Sequence, residues 1–216
     1  PSANWSSNAI PGLSYTGRIV FVTNDLGGFN ILETNRTING TSQSTNQGLQ
    51  YNIAAPNVSL KHTTDLGGNT LTLNGGSLQV GYNAANSVVT ITNGTLQLGG
   101  SNRTDVYVAA NLAVATPDVT QTGTVLRIAA TVDTRNLGTV WIGRSDRGNG
   151  PGAQGAIDLS AATLRSGADL NRMVLAGDLN LGVNNGAADS RGDLTLPTSL
   201  TSLEVGSLTL TYERNA

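Results

Sequence analysis

The sequence predicts an all-β chain, and within that class a β-solenoid, or β-helix, of short strands. Three observations predict it. Short runs in which apolar residues alternate with others recur along the chain, most of them open on a glycine, and no segment reads as a helix. The nearest to a helix is residues 168–176, which is short and lies inside the recurring pattern. Alternation over four to six positions marks a strand with one buried face. The length, 216 residues, suits one domain or one long repeat array.

The recurring unit is glycine, a small or polar residue, then apolar, any, apolar. It reads GSLQV from Gly76, GTLQL from Gly94, GTVLRI from Gly123 and GTVWI from Gly138. It continues as GAIDL from Gly155, GDLNL from Gly177, GDLTL from Gly192 and GSLTL from Gly206. The spacings are 18, 29, 15, 17, 22, 15 and 14 residues. The long gap of 29 predicts a unit without its glycine at residues 104–108. Two longer stretches, LTLNGGSLQVG from Leu71 and VTITNGTLQLG from Val89, align without a gap at an offset of 18. Glycine before each strand is expected to supply a positive φ at a turn.

Stacked repeats bury one continuous core, which favours the solenoid. An antiparallel β-sandwich is the alternative, because strands this short also suit it. The first 60 residues differ, being polar and irregular with a strand at residues 18–22 and a Thr/Ser/Asn/Gln-rich stretch at 34–47. The expected organisation is an N-terminal cap or irregular β segment over 1–60 and repeats over 61–216, forming one continuous domain.

Charge is scarce. Asp, Glu, Lys and Arg make up 12% of the chain, against roughly 25% in ordinary soluble domains. Polarity comes instead from 27 Thr, 23 Asn and 17 Ser. Twelve cations without a cluster exclude a phosphate-neutralising surface, so no nucleic-acid partner is expected. No apolar run reaches the roughly 18 residues of a membrane span, so no membrane insertion is expected. Without cysteine there is no disulfide or thiol chemistry, and one histidine, His62, leaves no multi-His centre. His62 and Lys61 read as a surface pair. No catalytic residue, metal site or cofactor is expected. Starting at Pro1 without an initiator Met or a signal peptide, the sequence reads as a processed product or a segment of something larger.

Several local groupings bear on chemistry. Acids stand mostly alone, and general acid–base work needs two groups in reach of one bond. The densest cluster, Arg144-Ser145-Asp146-Arg147, opens a glycine-rich loop and, with Trp141, forms the candidate glycan contact. Asn184, Asn185, Asp189 and Asp193 offer oxygens for calcium without a recognised loop spacing. Arg191-Gly192-Asp193 spells an integrin-type tripeptide, but two of its residues already belong to a repeat unit. Six N-x-S/T sequons occur, at Asn4, Asn35, Asn39, Asn57, Asn93 and Asn102.

The units TLTLNGGSLQVG and VTITNGTLQLGG, followed by GAIDLSAATL, DLNRMVLAGDLNLGVNNG and GDLTLPTS, resemble the autotransporter-associated β-strand repeats of bacterial surface and secreted passenger proteins. The resemblance covers roughly residues 65–210. It implies an extracellular β-solenoid, secreted or on a cell surface, used as scaffold, stalk or adhesive surface, and it carries no catalytic residue. The chain departs from a full autotransporter in showing neither a signal peptide nor a terminal membrane β-barrel.

The leading functional expectation is a structural or assembly protein whose partner is itself, as a homo-oligomer, filament or surface layer. Trp5, Tyr15, Leu203, Val205, Leu208, Leu210 and Tyr212 are the candidate self-association residues, with the polar N-terminal segment as the piece that caps or crosses to a neighbour. A glycan-binding adhesin module is the alternative, resting on Trp141, Arg144, Asp146 and Arg147. A polysaccharide-degrading β-helix enzyme or a phage tailspike-like protein ranks lower. An acid cluster of Asp146, Asp158 and Asp178 on neighbouring turns would revive it.

Overall fold

The computed structural model describes residues 14–21, 28–41, 44–51, 59–82, 86–111, 121–146, 152–184 and 190–210. Among these the regular elements are all strands. The chain lays them along three lines in a recurring order, and one passage through the three lines is called a round below.

β1 (Ser14–Thr16), β2 (Arg18–Phe21) and β3 (Gly28–Ile31) open the first, second and third lines. β4 (Arg36–Asn39), β5 (Gly48–Tyr51) and β6 (Leu60–Asp65) stack on them, each parallel and in register. β7 (Thr70–Asn74) and β8 (Ser77–Val80) continue the first and second lines. β9 (Ser87–Leu98) bends, its first half stacking on β6 and its second on β7. β10 (Thr104–Asn111) extends the second line, and β11 (Gln121–Asp133) bends along both halves of β9. β12 (Leu137–Ser145) and β13 (Ala153–Asp158) follow on the second and third lines.

The next round carries an insertion. β14 (Thr163–Ser166) stacks on β11 and folds back through a short hairpin onto β15 (Asp169–Leu170). β16 (Arg172–Val174), β17 (Leu179–Leu181) and β18 (Arg191–Thr195) complete the round, with β17 on β12 and β18 on β13. β19 (Ser202–Glu204) then pairs with β16, and β20 (Leu208–Leu210) with β17.

Every strand pair among the described residues is parallel except β14–β15. The fold is therefore all-β with parallel sheets, and the antiparallel sandwich kept as the alternative is corrected. Parallel neighbours need a long connection between them, and here each connection carries at least one further strand. Residues 168–176, the nearest to a helix, form the hairpin and β16. The segment 1–60, expected as an irregular cap, contributes β1 to β5, whose registers continue into the later strands.

Of the eight glycine units, Gly76, Gly138, Gly177 and Gly206 precede or open second-line strands, Gly123, Gly155 and Gly192 sit in third-line strands, and Gly94 lies at the bend of β9 between the third and first lines. The missing unit at residues 104–108 is β10, with Asp105 next to the glycine column. The offset of 18 compares one strand–corner–strand with the next, since Leu71 lies on the first line and Val89 on the third. The expected turn role of these glycines needs correcting. Of the eight, only Gly76 has a positive φ. All of the others but Gly123 answer to crowding: a Cβ on Gly138 would meet Asp105 Oδ1 at 2.1 Å, and one on Gly192 the Ile142 carbonyl oxygen at 2.3 Å.

The core follows from register. On the second line one inward column runs Ile19, Leu49, Leu78, Val106, Val140, Leu179, Leu208. A second runs Phe21, Tyr51, Val80, Val108, Ile142, Leu181, Leu210. All but Ile19, Leu181, Leu208 and Leu210 are buried. Each fully buried aliphatic side chain contributes roughly 1.5–3 kcal/mol. The asparagine excess also finds its place. Asn74 Nδ2 donates to Asn39 Oδ1 at 2.9 Å, Asn39 Nδ2 donates to Ser14 Oγ at 2.7 Å, and Asn74 Oδ1 accepts from Asn102 N at 3.1 Å. A neutral amide can donate one way along the stack and accept the other, where a row of like charges would repel.

Candidate functional site

Two regions carry the candidate residues: the outer side of the second line, and the two ends of the stack.

On the outer side a third column runs Val20, Gln50, Gln79, Tyr107, Trp141, Asn180, Thr209. Trp141 lies between inward Val140 and Ile142, so alternation turns its ring out, where it is half-buried. Strict alternation would send Arg144 to the opposite side. Gly143 sits in the left-handed region at φ +69, which shifts the alternation by one and brings Arg144 beside Trp141. The guanidinium lies 4.0 Å from the centre of the Trp141 ring, a cation–π contact. Arg144 Nε donates to Asp146 Oδ1 at 3.0 Å and Nη2 to Oδ2 at 2.7 Å. The Tyr107 ring meets Tyr82 edge-on, with centroids 5.8 Å apart. Burial, with the nearby Asp105 carboxyl adding to it, pushes the Tyr107 hydroxyl up to about 12.

The structure thus brings together three of the four candidate glycan residues; Arg147 lies outside the described residues. Arg144 covers one face of the Trp141 ring, and that face is not free to receive a sugar while the contact holds. Gln50 Oε1, Gln79 Oε1 and Asn180 Nδ2 of the same column are buried without a hydrogen-bond partner. On the outer side of the third line a shallow groove of about 250 Å³ is lined by Thr122, Gln154, Arg191 and Asp193 among others. There the integrin-type tripeptide is part of β18, with Gly192 turned inward and the Arg191 and Asp193 side chains paired at 3.0 Å.

The acids named for an enzyme are scattered. Asp146 follows β12, Asp158 ends β13 and Asp178 precedes β17, at three different corners of the round. Asp158 accepts from Ser160, and Asp178 accepts from Ser207 Oγ at 2.7 Å. Asp133, read as solitary, is instead a buried carboxylate on which Arg135 and Arg165 converge, with the Gly167 N–H donating at 3.0 Å. Burial by itself would raise its pKa; the hydrogen bonds from Arg135 and Gly167 outweigh that and hold it below the usual carboxylate range. Of the oxygens considered for calcium, Asn185 and Asp189 lie outside the described residues. No group of three or more Asp, Glu or His among the described residues is placed to hold a metal ion.

The reading of His62 as a surface group is corrected. Alternation in β6 turns Lys61 out and His62 in, where it is buried. Its ring packs 4.5 Å from Phe21 and 5.4 Å from Tyr51, and Nε2 meets Asn30 Oδ1 at 2.6 Å. Burial lowers its pKa to about 4. Thr64 Oγ1 also donates to Asn30 Oδ1 and meets the Tyr51 hydroxyl at 2.8 Å.

At the ends, β1, β2 and β3 on one side and β18, β19 and β20 on the other have a neighbour on one edge only among the described residues. Leu203, Leu208 and Leu210 belong to inward positions yet are 39%, 55% and 63% exposed. Val205 is half-buried, as is Tyr15, which pairs with Ile38. Trp5 and Tyr212 lie outside the described residues. The sequence did not single out Ile19 and Phe21, which head the two inward columns; the run RIVF was a strand signal, but nothing in it told which strand it would lie beneath.

The geometry defines a class, an all-β chain with parallel sheets. Comparison with protein families, curated proteins and solved structures gave no match.

Proposed function

We propose that the chain is a β-solenoid that serves as an extracellular structural protomer, self-associating through its open strand edges. The supporting observation is the change along the inward columns. Leucines at positions that are buried or half-buried in the preceding rounds are exposed at β19 and β20, beside backbone edges without a partner strand among the described residues. An unpaired edge is a template for another chain, and a contact between unlike ends that does not close on itself builds an open filament. The low charge and the asparagine stack suit a scaffold that relies on ladders and burial. Electron microscopy with light scattering across a dilution series tests this reading. Polymers are expected from the native chain and short rods from Leu208→Lys/Leu210→Lys. Monomers of the native chain at every concentration refute it.

A second reading, a glycan-binding module, is favoured by the convergence of Trp141, Arg144 and Asp146 on one outer face with Tyr107 nearby. It requires Arg144 to turn off the ring or bind the ligand itself. A glycan array with the native chain and Trp141→Ala tests it. Binding lost in the variant supports it, and equal binding removes this face from consideration.

A further inference from the structure

Resting on the self-associating reading, we propose that copies join head to tail in continuous register. In this joint β2 of an incoming copy lies parallel on β20, with its Ile19 over Leu208 and its Phe21 over Leu210, and its β1 lies on β19. The first argument is the columns. The seven strands of the second line hold one register from β2 to β20. The residue that heads each inward column is thus the natural successor of the residue that ends it. Aliphatic meets aliphatic at Ile19 on Leu208, and an aromatic ring covers Leu210.

The second argument is polarity. An incoming copy in this register puts exposed Arg18 over Ser207, whose hydroxyl is held by Asp178. A cation at the leading end thus comes over the Asp178 carboxylate, while Glu204 is already paired with Arg172 of its own copy. Pairing two C-terminal ends about a two-fold axis would cross the columns and bring Asp178 towards its own copy. The third argument is the order of the lines. The last strands of the third and second lines are β18 and β20, with β19, paired with β16, between them in the chain, and the first strands run first, second, third. The incoming β2 therefore finds β20 one rung below, and its β1 comes over β19. Incoming β3 stands two rungs above β18, so one strand's width stays open on the third line and the joint is carried by the other two. Seven rungs of about 4.8 Å give an axial repeat of about 34 Å per copy.

The absence of cysteine makes the register directly testable. In-register neighbours have Cα atoms about 4.8 Å apart, within the 4.4–6.8 Å that a disulfide spans. Ile19→Cys and Leu208→Cys variants are mixed, checked for native circular dichroism and oxidised; Phe21→Cys with Leu210→Cys is a second, independent pair. A 19–208 or 21–210 disulfide between copies is expected, with at least tenfold less product from the mismatched Phe21→Cys and Leu208→Cys mixture. A disulfide formed by Leu208→Cys with itself overturns the proposal in favour of a two-fold joint. Polymers that form without either matched disulfide overturn the register while leaving self-association standing. A chain that stays monomeric in light scattering overturns both.

Discussion

The two ends of the stack fill the same columns in different ways. At the N-terminal end Phe21, Tyr51 and His62 fill the interior with rings, Phe21 and Tyr51 stacked 5.1 Å apart, with Asn30 meeting His62 Nε2 and Thr64 the Tyr51 hydroxyl. At the C-terminal end the columns close on Leu203, Leu208 and Leu210, with nothing stacked on their outer side among the described residues. Large rings packed on one another keep Phe21, Tyr51 and His62 buried in the first two rounds. Bare leucines make a last round that gains from a neighbour. The difference teaches that end residues of a stack are not interchangeable even when their register is.

The contrast is easiest to break from the aromatic side. Tyr51→Ala removes a fully buried ring and its hydrogen bond to Thr64. A loss of about 3–5 kcal/mol in denaturant unfolding is expected, and a loss below about 1 kcal/mol would mean the rings do not carry the N-terminal rounds. Next comes His62. Its pKa is about 4 in the folded chain against an ordinary 6.5, so below pH 6.5 the unfolded chain binds more protons. Its contribution is fully present above about pH 6.5 and is lost as pH falls towards 4, at a slope of at most about 1.4 kcal/mol per pH unit. Urea unfolding at pH 7 and pH 4.5 should show this loss, and His62→Leu should flatten it; an equal slope in both chains would assign acid sensitivity elsewhere.

Backbone crowding sharpens the comparison further. Gly48 has φ +108, and a Cβ there would meet the Ser77 carbonyl oxygen at 2.1 Å. Gly48→Ala is expected to cost about 1–3 kcal/mol. Gly206 near the open end is exposed and its nearest contact is 2.9 Å, so Gly206→Ala should cost less than half as much in the same thermal melts. The smallest effect on stability is that of Leu210→Ala, within about 0.5 kcal/mol because the side chain is already exposed. Its sedimentation coefficient should nevertheless fall. A stability loss above 2 kcal/mol without a change in sedimentation would make Leu210 part of the core.

Much of the fold was legible because alternation and glycine spacing report on strands and corners. The unit at residues 104–108 was found by its absence from the spacing series, and Trp141 was placed outward by alternation alone. The length of a full round was not legible. Successive rounds differ in length, as Leu49 to Leu78 spans 29 residues and Val140 to Leu179 spans 39, so a fixed-period search finds only the corners. His62 was misread because a histidine next to a lysine looks solvated until the phase of β6 is known. Arg144 reaches Trp141 only through the left-handed Gly143, and sequence does not print φ. Asp133 and its two arginines come from different rounds, and no local pattern joins Asp133 to Arg165.

The hairpin of β14 and β15 carries a lesson about growth. Five residues separate β14 from β16, with Gly167 at the tip in the left-handed region and Leu170 standing in solvent. Beneath this excursion β17 and β18 return to the same register as their predecessors. Length added at a corner is thus not transmitted to the ladders on either side. A foreign peptide spliced between Gly167 and Ala168 would ride on the outside of the stack, which makes this corner an attachment point for cargo, repeated once per copy along any array the protein builds.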